Sequence, residues 1–113
     1  MKNAECKIDP ALLDELVRRI REVVEPVRII LFGSAARGET GPDSDLDVLV
    51  VVPEGHRRRD IAGDIYMNLI GFGHAVDVVV ATEEDLRRYG DNFSLVYYPA
   101  LREGRDIYAA RPH

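Results

Sequence analysis

"FGSAARGETGPDSDLDVLVV", residues 32–51, sets a Gly-Ser turn directly after one apolar strand and two aspartates, Asp45 and Asp47, at the head of the next. Successive side chains in a strand point to opposite faces, so Asp45 and Asp47 project to the same side, with Cα atoms about 7 Å apart. They can converge on one object. Two like charges held so close in a partly desolvated place raise each other's pKa, at a cost of about a kcal/mol or more per shifted unit, unless a cation neutralises them. The pair asks for a metal.

Working outward, "VRIILF" (27–32) is β-rich and ends in Gly33, "LDVLVVV" (46–52) ends in Pro53 and Gly55, and "HAVDVVV" (74–80) follows Gly71 and Gly73. Three strands are predicted. Between the second and third, Ile61, Ile65 and Leu69 fall on one helical stripe within residues 57–70. This is a β-α-β crossover with parallel pairing across it, and the sheet is expected to be mixed. Ahead of the first strand, Asp9 and Pro10 read as N-cap and first helical residue, and Leu13, Leu16, Val17, Ile20, Val23 and Val24 recur at helical spacing until Pro26 stops the pattern. Thr82 and Asp85 resemble a capping box opening a short helix through Tyr89. "NFSLVYYPALREGRDIYA" (92–109) reads as a last helical segment capped by Asn92, broken near Pro99 and stopped at Gly104, then a strand at 106–109. The fold class is α/β (α+β), a small mixed sheet flanked by helices, in a single domain over residues 1–113.

At 113 residues with 15 Lys+Arg against 20 Asp+Glu, the formal charge of −5 has the wrong sign for extended nucleic-acid binding or an anionic membrane surface. Cys6 is the single cysteine, so no internal disulfide forms. No apolar run approaches the roughly 20 residues of a membrane span, and "MKNAECKIDP" lacks the apolar run of a signal peptide. A cytoplasmic protein is expected.

A Gly-Ser turn alone is a common way to end a strand, and Asp-x-Asp alone is common at a strand entrance. The third acid shifts the balance. Asp77 sits in the middle of the apolar "AVDVVVA", and an unpaired buried carboxylate costs several kcal/mol, so Asp77 must face a cation, a polar cluster or water. With strand 74–80 beside strand 46–52, the three acids line one edge of a cleft whose other wall is the Gly33-Ser34 turn. Such a turn can cradle an anion with its free amides, glycine allowing close backbone approach.

Gly33-Ser34-x-x-Arg37-Gly38, five residues, Ser44-Asp45-x-Asp47 and a later strand aspartate together resemble the nucleotidyltransferase superfamily of DNA polymerase beta, and within it the minimal nucleotidyltransferases. The resemblance covers nearly the whole chain; the tail after Asp91 is less diagnostic. It implies the polymerase-beta-like nucleotidyltransferase fold and transfer of a nucleoside monophosphate, AMP from ATP, to a hydroxyl with loss of pyrophosphate. Gly33 and Ser34 would hold the β- and γ-phosphates. Asp45 and Asp47 would bind two Mg²⁺ ions, one of them shared with Asp77, which would also help activate the acceptor. Mg²⁺ chemistry suits carboxylate and phosphate oxygens, and transfer of this kind needs no covalent nucleophile.

Arg37 reaches a phosphate or pairs with Glu39 or Asp43, the two readings standing level. Arg57, Arg58 and Arg59 read as a solvated helix start that needs an acidic neighbour, since cations there oppose the helix dipole. Tyr97 and Tyr98 read as core or interface aromatics. A single domain of this size is expected to leave the acceptor to be held by something else. By the resemblance the acceptor is a tyrosine of a small all-helical HEPN toxin, with this chain as antitoxin, and a homo-oligomer is also open to it. The competing readings are a neutralising subunit that works by binding alone, and transfer to a small-molecule hydroxyl.

Overall fold

The computed structural model describes residues 9–33, 45–89 and 102–110. Helix α1 spans Pro10–Arg21, and Asp9 caps it by accepting the Ala11 N–H at 3.0 Å. The proline after the cap supplies a preset helical φ where no N–H partner exists anyway. Arg18, Arg19 and Arg21 fall in the last turn, where cations suit the dipole. The helix stops before the predicted Pro26, but Val23 and Val24 N–H both reach the Ile20 carbonyl, and Val24 stays buried.

Strands β1 (Arg28–Phe32), β2 (Leu46–Val52), β3 (Val76–Thr82) and β4 (Arg105–Ala109) form one sheet in the order β3-β2-β1-β4. Helix α2 (Arg58–Asn68) carries the crossover between β2 and β3, which pair in parallel, whereas β1 is antiparallel to both β2 and β4. The mixed sheet follows from these connections: an intervening helix returns the chain in the same direction, as the crossover rule requires. The third strand lies two residues later than its periodicity suggested. It runs straight into helix α3 (Glu83–Tyr89) through a capping box in which Thr82 N–H donates to Asp85 Oδ2 at 3.0 Å and Asp85 N–H to Thr82 Oγ1 at 3.1 Å. Arg102 and Glu103 are helical and the helix ends before Gly104, but the predicted cap at Asn92, the break at Pro99, and Tyr97 and Tyr98 lie outside the described residues.

The period of two divides the sheet into two faces. Ile29, Leu31, Leu46, Val48, Val50, Val52, Val78 and Val80 pack with Leu16, Ile20 and Ile65 of the two longer helices. Ile30, Phe32, Leu49, Val51 and Ala81 form a smaller cluster on the opposite face, with Leu86 of α3 against it. The longer helices are also latched to each other. The Arg19 guanidinium donates to the carbonyls of Asn68 and Ile70 at 3.3 and 3.1 Å, meeting the orphan carbonyls at the end of α2, and Asn68 Nδ2 donates back to the Arg19 carbonyl at 2.8 Å.

Candidate active site

The acids gather where β1 leaves the sheet and β2 and β3 enter it. Asp47 and Asp77 are register partners across the parallel pair, roughly 4.8 Å apart at the strand spacing, and Asp45 precedes β2 on the same side. All three share the face of Leu49, Val51, Val79 and Ala81, away from α1 and α2, because each is an even number of residues from those neighbours. Asp45 and Asp77 are exposed, while Asp47 is half-buried between them and the end of β1. Burial comes first, and then the charges of Asp77 and Asp45, in pushing the Asp47 carboxyl above the ordinary aspartate range.

Gly33 forms the other wall. It follows β1, whose last residue Phe32 pairs with Asp47, and it adopts φ +74°, the left-handed region glycine enters without a Cβ penalty. Its Cα lies against the Asp47 carboxylate. Ser34 and Arg37, the other residues expected at this wall, lie outside the described residues.

Three carboxylates form the oxygen-only donor set that a hard divalent cation takes. Burial first, and then the charges of Asp77 and Asp45, disfavour the Asp47 carboxylate, and a bound divalent ion would offset both. Among the described residues no three acid, histidine or cysteine side chains converge on one point. Mg²⁺ commonly takes one or two protein carboxylates and completes its shell with phosphate and water. The residues therefore fit the ion as part of a shell shared with a substrate.

The arginine run reads differently from the acids. All three side chains are exposed. Arg58 donates to Asp85 Oδ2 at 2.9 Å, the same oxygen that accepts the Thr82 N–H, so the acidic neighbour the helix start called for is the α3 capping residue. Arg57 lies 3.8 Å from Asp60. The periodicity reading passed over Tyr66. Its hydroxyl accepts the Val78 N–H at 2.8 Å, and it is exposed together with Met67 and Ile70. The only sequence signal for this was a second apolar stripe on α2 beside Ile61, Ile65 and Leu69. A groove of about 400 Å³ along α1, beside Arg18, Arg21, Glu22 and Glu25, is lined by ions already paired with one another.

Comparison with known proteins accords with this geometry. The nucleotidyltransferase domain family matches residues 13–104, and the chain belongs to that family. Among solved structures, a protein assigned as a minimal nucleotidyltransferase is 29% identical, with a TM-score of 0.59 over 88% of this chain and 96% of that one. A protein assigned as a nucleotidyltransferase from Sulfolobus solfataricus is 19% identical, with a TM-score of 0.61 over 89% of this chain and 80% of the other. A toxin-antitoxin solved with AMP-PNP is 18% identical, with a TM-score of 0.62 over 88% and 74%. The last two likenesses establish the fold. No curated protein sequence matches the chain.

Proposed function

We propose that the chain is a Mg²⁺-dependent nucleotidyltransferase that moves AMP from ATP to a tyrosine hydroxyl of a small helical HEPN-type partner, and so acts as the antitoxin of a two-protein system. The observation that carries this reading is the juxtaposition of Asp47 and Asp77 on adjacent parallel strands, with Asp45 on the same face and the Gly33 turn beside them. The likeness to a toxin-antitoxin solved with AMP-PNP supports an adenine nucleotide and a toxin partner. Among the described residues no helix is long and apolar enough to cross a membrane.

In this reading Asp45, Asp47 and Asp77 would hold two Mg²⁺ ions, which would supply charge neutralisation to the triphosphate and to the attacking and leaving oxygens. Gly33, with Ser34 and Arg37 from their places in the sequence, would bind the β- and γ-phosphates and fix the α-phosphorus over the acids. Asp77, exposed on the edge strand, would orient the acceptor hydroxyl and take its proton as the oxygen bonds to the α-phosphorus and pyrophosphate departs. The test is incubation of the pure protein with α-labelled ATP, Mg²⁺ and the helical protein encoded beside it. Label on a tyrosine of the partner, lost with Asp47→Asn, is the expected result. Tight complex formation with no label on either chain would replace this reading with neutralisation by binding.

A further inference from the structure

The geometry points to Gly33 as a positioning residue for Asp47: the absence of a side chain at position 33 is what lets the Asp47 carboxylate stand beside Asp77 and Asp45. This deepens the proposed nucleotidyl transfer and rests on that reading for the purpose of the arrangement, though not for the arrangement itself. A Cβ placed on Gly33 would lie 2.5 Å from Asp47 Oδ2, closer than such atoms can approach, yet 3.6 Å from Asp47 Cβ, an ordinary contact. The conflict therefore falls on the far end of one side chain. Backbone need not move, because Asp47 can swing its carboxylate aside about χ1 and χ2. What such a swing sacrifices is the direction of the carboxylate, and that matters for a group meant to share an ion with a neighbour.

Two features make Gly33 different from the other glycines of positive φ. Gly55, Gly71 and Gly73 also have positive φ, but a Cβ at any of them would meet nothing within 4 Å. Their glycine identity follows from backbone conformation alone. Gly33 carries the conformational requirement and, independently, a steric one directed at a single carboxylate. The pairing of Phe32 with Asp47 locks the two positions together through the β1–β2 ladder, so the close approach is a consequence of register and does not depend on a loop finding its place. The three atoms nearest to a Cβ on Gly33 all belong to Asp47. The turn thus acts on the one acid of the three that is half-buried.

The two requirements can be separated experimentally, because asparagine tolerates the left-handed region far better than alanine does while carrying the same Cβ. Gly33→Ala and Gly33→Asn should both change the χ1 populations of Asp47, read from three-bond couplings in the ligand-free protein. Both should also weaken Mn²⁺ binding in the presence of a non-hydrolysable ATP analogue by about tenfold or more, the scale seen when a group that orients a metal ligand is altered. Unchanged Asp47 couplings in both variants would overturn the inference. So would restoration of wild-type Mn²⁺ affinity by Gly33→Asn, since backbone conformation would then be the whole requirement. If wild type itself bound no Mn²⁺ with the nucleotide, the nucleotidyl-transfer reading would fail, and the Asp47 couplings would still decide the role of Gly33.

Discussion

Glu15 on α1 and Asp47 on β2 are both carboxylates, and their surroundings have opposite sign. Arg18 and Arg19 donate hydrogen bonds to Glu15 and hold its carboxyl down to about 2. Asp47 is half-buried with Asp77 and Asp45 for company, and its carboxyl is pushed upward. The helix-covered side of the molecule matches its acids with arginines, as it also does at Glu25 and Arg21. At the Asp47 end of the other face, acid stands with acid. An acid beside a cation is complete as it stands, whereas acids grouped together leave room for a cation that none of the described residues supplies. The two surroundings therefore separate carboxylates neutralised within the fold from the carboxylates proposed to hold a metal.

The largest effect that could break this contrast is on transfer itself. Asp47→Asn should lower turnover by about a thousandfold, equivalent to about 4 kcal/mol of transition-state stabilisation, with the fold retained by circular dichroism. Ordinary turnover in that variant would remove Asp47 from the site. On the covered side the loss should take the other form. Ile20, fully buried against the sheet, should cost about 2–5 kcal/mol of stability as Ile20→Ala, measured by urea unfolding, because a cavity is left in a core that cannot fully collapse.

A smaller effect sharpens the contrast by supplying the missing cation. Mg²⁺ with a non-hydrolysable ATP analogue should stabilise wild type by about 2.7 kcal/mol at a hundred times Kd, seen as a raised melting temperature. Mg²⁺ alone should do little, since it dehydrates reluctantly without phosphate oxygens to complete its shell. The joint shift should largely vanish in Asp47→Asn. Equal shifts in the two proteins would place the nucleotide elsewhere.

Smaller again is the pH dependence of the ligand-free protein. A carboxyl whose pKa is raised by folding favours the folded state while it is protonated, and that advantage disappears as pH rises through the folded value. Asp47→Asn, which keeps the uncharged shape at every pH, should therefore melt a few degrees above wild type near neutrality. The gap should close as pH falls below the ordinary aspartate range. A gap that widened on acidification would mean that Asp47 is stabilised by a cation in the free protein. The smallest change should come from Glu15→Gln, whose ion pairs lie at the surface, only partly covered and screened, and melting should barely move.

Much of the architecture was legible from local chemistry. The Asp9-Pro10 start, the strand at 46–52 to the residue, the parallel crossover and the Thr82–Asp85 box all depend on neighbours within a few positions, and each is found in the structure. The acids were legible as well. A period of two places Asp45 and Asp47 on one side whatever the rest of the chain does, and an aspartate among valines has to face something polar.

Long-range pairing decided the rest. That Asp47 and Asp77 stand opposite each other depends on the β2–β3 register, which joins residues 30 positions apart, and a slip of one residue would have turned Asp77 into the helix-covered core. Arg58 looked like one of three equivalent solvated cations until α3 brought Asp85 within 2.9 Å. Gly33 read as a phosphate-binding turn, and its approach to the Asp47 carboxylate emerged only once β1 and β2 were paired. Alternation along one strand is a covalent property of the chain and can be read from it. Which carboxylate meets which neighbour across strands depends on the packing that selects one register from several, and that selection is made by the buried valines and leucines on both faces of the sheet.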